Sequence, residues 1–182
     1  IDGAHVPAHI LLDIKELDPD YYTGALHKWL CCPKGISFLY VKKKYQEGIQ
    51  PMVKSWGWGE EYEKFKSSIQ SHSPSRFINV FQWQGTMDMS AFFTVPNAIQ
   101  FQKEHDWNNV RSRCFDMIIE ARNRITEMTK LPKICPDNWL GHMATILFPI
   151  DDTALFKKTL YNEYKIEIPV MSHKNHTAFR IS

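Results

Sequence analysis

The chain has 182 residues, of which 43% are hydrophobic and 13% aromatic, so it can bury a sizeable core. Its 22 basic and 20 acidic residues leave a net charge of +2, which gives no general electrostatic case for nucleic-acid binding. No run of 18 apolar residues is present, so we predict no membrane span.

The first part of the chain reads as strands that end in polar residues. Ile1–His5 is typical of the carboxyl end of a strand, and such ends are where open α/β sheets bind ligands. Asp13 is predicted to cap one short helical turn. Tyr21–Leu26 is predicted to be a second strand. Ile36–Val41 is a third and is nearly all apolar, so we expect it to be buried on both faces.

The middle of the chain has weaker patterns. Tyr45–Phe65 is predicted to be irregular, with Trp56 and Trp58 expected to pack rather than to line a pocket. Ser67–Arg76 is polar and predicted to be a loop.

The last part of the chain has longer helical patterns and short strands. Ser90–Glu104 is predicted to be a helix that begins near Thr94, because Pro96 favours the first turn. Trp107–Lys130 is the longest helical pattern, with an apolar stripe formed by Val110, Cys114, Ile118, Ala121 and Ile125. The later elements are a strand at Met143–Phe148, a helix at Asp152–Tyr164, and strands at Ile166–Met171 and Ala178–Ile181. We expect a domain boundary between about residues 87 and 107.

Lys28 follows His27, which comes directly after the aromatic run Tyr21–Leu26. Burying a lysine is costly because desolvation disfavours its ammonium, so a lysine at a buried strand end suggests chemistry such as a Schiff base with an aldehyde. Asp2 lies 26 residues earlier and also follows an apolar position. Pyridoxal phosphate needs both groups, a lysine on its aldehyde and a carboxylate on its pyridinium nitrogen. The two residues therefore predict a pyridoxal 5'-phosphate site.

The motifs DGAH, HKW and CPKGISFLYV together resemble the class V aminotransferase family of fold-type-I pyridoxal phosphate enzymes, in its isopenicillin N epimerase-like branch. The resemblance runs from Ile1 to Ser182. It implies an α/β fold of the PLP-dependent transferase (aspartate aminotransferase-like) type. Residues 1–95 would be the carboxy-terminal part of the large PLP-binding domain and residues 96–182 a small α+β carboxy-terminal domain. It also leads us to expect that about half of the enzyme precedes Ile1.

The resemblance assigns roles near the cofactor. Lys28 would be the catalytic Schiff-base lysine, Asp2 would hold the ring nitrogen, and His5 would bond the ring's phenolic oxygen. His27 and Thr23 would contact the phosphate.

Further roles come from the same resemblance. Gly85 and Thr86 resemble the segment that relatives insert into the neighbouring subunit's site, which implies a homodimer. Arg180 would hold the carboxylate of an amino-acid substrate, since a guanidinium matches a carboxylate with two hydrogen bonds.

The reaction stays open between an epimerase, an aminotransferase and a carbon–sulfur lyase, which share removal of the substrate's α-proton. A cysteine desulfurase is disfavoured because Cys135 lacks a serine- and glycine-rich loop around it. The alternative is a non-catalytic fragment with the fold core, a dimer surface and an incomplete cofactor site. Ala25 supports that alternative, because many relatives have serine or asparagine there and alanine cannot bond a phosphate.

The four cysteines bear on metal binding and on the redox environment of the protein. Cys31 and Cys32 are adjacent, no CxxC motif occurs, and the spacing is not that of a disulfide framework. We therefore expect no metal site and a reducing, cytoplasmic location.

Overall fold

The computed structural model describes residues 1–55, 58–59, 75–82 and 84–182, which form two compact units, Ile1–Gln100 and Phe101–Ser182. The prediction for Trp56 and that for positions 67–74 of the polar loop lie outside the described residues.

The first unit begins with elements that place Asp2 beside a strand. Helix α1 (Ile14–Leu17) is capped as predicted, because the Asp13 carboxylate accepts from the amides of its first turn at 2.8 and 3.1 Å. Strand β1 (Tyr21–Ala25) confirms the predicted strand. Asp2 forms a parallel bridge with Thr23, so the first residues do lie along a strand.

Strand β2 (Ser37–Val41) pairs antiparallel with β1. We predicted that this strand is buried on both faces. The prediction is wrong, since Ser37 is exposed and the Leu39 side chain is 43% exposed. In the described part of the chain β2 belongs to a two-stranded sheet, and Val41 is its only fully buried residue. A two-stranded ribbon packs mainly through one face, which accounts for the alternation.

The other elements of this unit, within the described residues, are helical. A 3-10 turn spans Lys43–Tyr45. Helix α2 spans Arg76–Gln82 and was not predicted. The predicted helix from Ser90 is two helices, α3 (Ser90–Phe93) and α4 (Val95–Glu104), separated at Thr94 as the position of Pro96 indicated.

The second unit combines helices with a three-stranded sheet. Its elements are α5 (Trp107–Thr129), a 3-10 turn (Asp137–Trp139), β3 (Ala144–Leu147), α6 (Thr153–Tyr164), β4 (Val170–His173) and β5 (His176–Ile181). The strand order is β3-β5-β4, and both pairings are antiparallel. The strand predicted from Ile166 begins only at Val170, because Pro169 has no amide hydrogen to donate to a ladder.

Helix α5 buries a charged residue that its sequence pattern did not predict. Ile118 is buried, as its place in the apolar stripe predicted, but Arg122 is only 1% exposed. The Arg122 guanidinium donates to the Cys135 carbonyl at 3.0 Å and to the Asp137 carboxylate. Lys133 also reaches Asp137, at 3.0 Å. The buried arginine therefore fastens the segment after α5 to the helix.

His142 is buried and interacts with Arg111 of α5. Burial lowers its pKa, and the positive charge of Arg111 lowers it further, while a hydrogen bond with the Arg111 backbone partly opposes both effects. Because the folded-state pKa lies below the unfolded value of 6.5, the unfolded chain binds more protons in that pH range. Stability should therefore fall as the pH drops below about 6.5. Urea unfolding at several pH values should show this loss in the wild type and a smaller one in His142→Asn, and equal losses in both would contradict the assignment.

The described residues contain no helix that is both long and apolar enough to cross a membrane. They also contain no group of three or more histidine, cysteine or acidic side chains that could hold a metal ion. All four cysteines are free thiols.

Candidate active site

Main-chain pairing places Asp2 next to β1. The Gly3 amide donates to the Thr23 carbonyl at 2.9 Å, and the Thr23 amide donates to the Ile1 carbonyl at 3.1 Å. A side chain at Gly3 is excluded, since an added Cβ would lie 2.0 Å from the Tyr22 hydroxyl. Asp2 is exposed, and one of its oxygens accepts from the Ala4 amide at 3.0 Å. Asp2 thus lies beside β1, next to a glycine whose position is packed against the Tyr22 side chain.

The Tyr22 ring lies against this backbone. Its side chain is 2% exposed, and its buried hydroxyl has no hydrogen-bond partner in the described structure. Burial raises the pKa of Tyr22, and the nearby negative charge of Asp2 raises it further. Tyr22 therefore stays neutral, and Asp2 is the negatively charged group at this strand end.

Lys28 lies in a turn that the backbone closes. The Leu26 amide donates to the Ile36 carbonyl, the Cys32 amide to the Leu26 carbonyl, and the Cys31 amide to the Lys28 carbonyl, each at 3.1 Å. Cys31 adopts a left-handed conformation with φ of 62°. Lys28 is half-buried, and its ammonium makes no hydrogen bond or salt bridge to any described residue.

The turn rests on a small apolar core. Leu30, Cys32 and Ile36 are buried together, and half-buried side chains of α3 and α4 pack against them. Burial of these side chains anchors the turn, so the orientation of Lys28 is set by main chain and core rather than by partners of its own ammonium.

His5 lies beside this turn through Trp29. The Trp29 indole nitrogen donates to Nδ1 of His5 at 3.3 Å. The Trp29 ring stacks on His9 with centroids 4.2 Å apart and planes at 10°. Nδ1 of His9 is 2.9 Å from the His5 carbonyl oxygen. His5 was predicted as a site residue, whereas Trp29 and His9 were not, because their spacing alone gives no signal.

Thr23 and His27, the residues predicted to contact the phosphate, differ in whether their side chains can make a further hydrogen bond. The Thr23 hydroxyl donates to the Phe38 carbonyl at 3.0 Å, so its single proton is already in use. His27 is exposed, and its Nδ1 lies 3.3 Å from the Ile36 carbonyl oxygen, which leaves Nε2 for another contact. Ala25 is 7% exposed.

Gly85 and Thr86 lie after α2. Gly85 has φ of +115°, a conformation that favours glycine, and Thr86 is exposed. Within the described residues no hydrogen bond joins either of them to Asp2 or Lys28.

Arg180 belongs to the second unit, in the central strand β5. It pairs with Thr145 of β3, and its amide donates to the Pro169 carbonyl at 3.0 Å. The side chain is half-buried, and its guanidinium has no ion-pair partner among the described residues.

The groups of the first unit fit pyridoxal phosphate. The second oxygen of Asp2 has no donor in the described structure and can accept from a pyridinium N–H. No described residue engages the amine of Lys28, which leaves it available to bond an aldehyde. Asp2 and Lys28 also flank the same strand, through the bridge to Thr23 and the turn after β1.

Comparison with known proteins gives the same family. The model of the family "Aminotransferase class-V" matches residues 1–177. The isopenicillin N epimerase of Amycolatopsis lactamdurans is 29% identical over 185 residues, which cover 100% of this chain and 46% of that protein. The chain thus spans about half the length of the curated relatives it matches.

Solved structures show the fold. The apo structure of the cysteine desulfurase of Thermococcus onnurineus NA1 superposes with a TM-score of 0.74 at 17% identity, covering 100% of this chain and 46% of that one. A C-DES variant with glycine covalently linked to the PLP cofactor superposes with a TM-score of 0.67 at 16% identity, covering 98% and 45%. The predicted fold, that of the fold-type-I pyridoxal phosphate enzymes, is therefore confirmed.

Because the family model matches residues 1–177 and the fold agrees with it, the chain belongs to the class V aminotransferase family, whose cofactor is pyridoxal 5'-phosphate.

Proposed function

We propose that this chain is part of an enzyme that uses pyridoxal phosphate to react at the α-carbon of an amino acid, by epimerisation, transamination or carbon–sulfur elimination. The observation that carries the proposal is the Lys28 amine, which has no partner among the described residues and is held by a closed turn beside the strand that positions Asp2. Similarity to isopenicillin N epimerases over the whole chain supports epimerisation, and similarity to L-cysteine desulfhydrases over 93% of the chain supports elimination; both reactions begin at the α-carbon.

The residues of the first unit divide the work. The bound cofactor would withdraw electrons from the substrate's α-carbon. Asp2 would keep the ring nitrogen protonated through its second oxygen, and His5 would donate to the ring's phenolic oxygen. Lys28 would bind the cofactor's aldehyde and, once displaced by the substrate amine, would move a proton at the α-carbon.

Other groups would hold the cofactor and substrate. His27 would contact the phosphate through Nε2, while Thr23 would serve only if its hydroxyl turned away from Phe38. Arg180 would pair with the substrate carboxylate. Gly85 and Thr86 would enter the site of a second subunit in a homodimer, the positive φ of Gly85 permitting close backbone approach.

The same proposal assigns the two parts of the chain. Residues 1–95 would belong to the large cofactor-binding domain, and residues 96–182 would form the small domain. The two compact units, divided after Gln100, support this assignment.

Asp2→Asn in the full-length protein tests the proposed function. The amide cannot hold the ring nitrogen as a cation, so turnover of amino acids should fall by at least about a hundredfold, the size of effect seen when one preorganised stabilising group is lost. Cofactor absorbance should persist. Asp151→Asn, at an exposed position, is the matched control and should leave turnover unchanged. Near-normal turnover in Asp2→Asn would remove Asp2 from the mechanism.

One observation favours a second possibility, a non-catalytic chain. Ala25 is buried at the end of β1, where it offers no hydrogen bond to a phosphate. A full-length protein that stays colourless when mixed with pyridoxal phosphate would support this reading, whereas a yellow protein would support the enzyme.

A further inference from the structure

Trp29 follows Lys28 directly and contacts two histidines. Its indole nitrogen can only donate a hydrogen bond, and it points at Nδ1 of His5 across 3.3 Å. Nδ1 of His5 must therefore be the unprotonated, accepting nitrogen. A neutral imidazole carries one proton, so the proton of His5 lies on Nε2.

His9 carries a proton on its Nδ1. Its Nδ1 faces the His5 carbonyl oxygen at 2.9 Å, and a carbonyl oxygen can only accept, so Nδ1 of His9 carries a proton. The His9 side chain is 6% exposed and stacks flat on Trp29. The contacts form a closed circuit, because His9 is bonded to the main chain of His5 and holds the plane of the indole that is bonded to the His5 ring.

We propose that Trp29 is a positioning residue that fixes the tautomer of His5, so that Nε2–H is the group presented to the phenolic oxygen of the cofactor. The second half of this inference, the contact of Nε2–H with the cofactor, rests on the proposed function. An anionic oxygen needs a donor, and the other tautomer of His5 would turn a lone pair towards it. Trp29 would thus act on the cofactor through His5.

Nitrogen NMR of the full-length protein, labelled with ¹⁵N-histidine and free of cofactor, tests the tautomer, since protonated and unprotonated ring nitrogens have distinct chemical shifts. His5→Gln identifies the His5 signals. The wild type should show His5 with the proton on Nε2 and His9 with the proton on Nδ1. A proton on Nδ1 of His5 in the wild type would overturn the proposal without any change at Trp29.

Trp29→Phe keeps an aromatic ring to stack on His9 but removes the indole donor. The Nδ1 signal of His5 should then move towards the protonated position, while His9 stays unchanged. Trp139→Phe, the same change at a side chain that is 77% exposed, should alter neither. An unchanged His5 signal in folded Trp29→Phe would contradict the proposal.

A double-mutant cycle tests whether the effect passes through His5. Absorbance titration with pyridoxal phosphate should show that Trp29→Phe raises the dissociation constant about three- to tenfold, the worth of one hydrogen bond. In a His5→Gln background the same change should have little further effect. An equal loss in both backgrounds would show that Trp29 only supports the local structure and would overturn the proposal. A wild type that binds no cofactor would refute the proposed function and the link to the cofactor, while the nitrogen spectra would still decide the tautomer.

Discussion

Lys28→Ala should abolish covalent attachment of the cofactor and reduce turnover by on the order of a thousandfold or more, since general-base catalysis alone contributes factors of this size. In the wild-type protein, borohydride followed by peptide mapping should leave a stable pyridoxyl group on Lys28. The structure supports this lysine because its ammonium has no competing partner in the described chain and its turn is closed by main-chain bonds.

Lys34→Ala is the matched control. Lys34 lies in the same segment but is exposed, so its removal should leave both the label and the turnover intact. Label on another lysine in the wild type would show that Lys28 has been wrongly assigned.

Arg122→Ala should destabilise the folded protein by about 3 kcal/mol, through lost packing and lost hydrogen bonds in a buried site. The guanidinium is almost fully buried, and it donates to both the Cys135 carbonyl and the Asp137 carboxylate. Removing it frees the segment after α5 and leaves the Cys135 carbonyl without this donor. Urea unfolding at neutral pH measures the effect.

Arg124→Ala on the same helix is the control. Arg124 forms only an exposed pair with Glu120, 3.6 Å away and one helical turn before it. Such pairs contribute about 0.5 kcal/mol or less, so this variant should unfold close to the wild type. Equal effects of the two substitutions would show that the buried arginine has no special stabilising role.

The sequence predicted elements whose signals are local. Asp13 was predicted to cap a helical turn, and its carboxylate does accept from first-turn amides. Asp152 was predicted to begin a helix, and in the structure it is the cap residue just before that helix. The apolar stripe of α5 needs only its own periodicity, and the helix ends at Thr129 with Lys130 in a left-handed conformation.

Features that depend on distant neighbours were not predictable in the same way. Arg122 lies four residues after Ile118 in the apolar stripe, but its burial depends on Asp137, which reaches it only after the chain turns back. The exposure of Leu39 depends on how many strands cover β2, which its apolar composition does not encode.

The candidate site also contains both predictable and unpredictable features. Lys28 and Asp2 carry their chemistry in their residue types and their places at strand ends, so a pattern identifies them. The contact between Trp29 and His5 joins residues 24 positions apart and fixes a proton that no sequence pattern reports.

The lysine turn has a consequence for how this region can vary. Leu26 is bonded through both its amide and its carbonyl, so the segment up to Cys32 is a ring of fixed residue count. Adding or deleting a residue inside that ring would break a main-chain bond or rotate the amine away from its direction, whereas exchanging an outward side chain would leave the ring intact. The direction of the amine is therefore specified by length, and this stretch should tolerate changes of composition far better than changes of length.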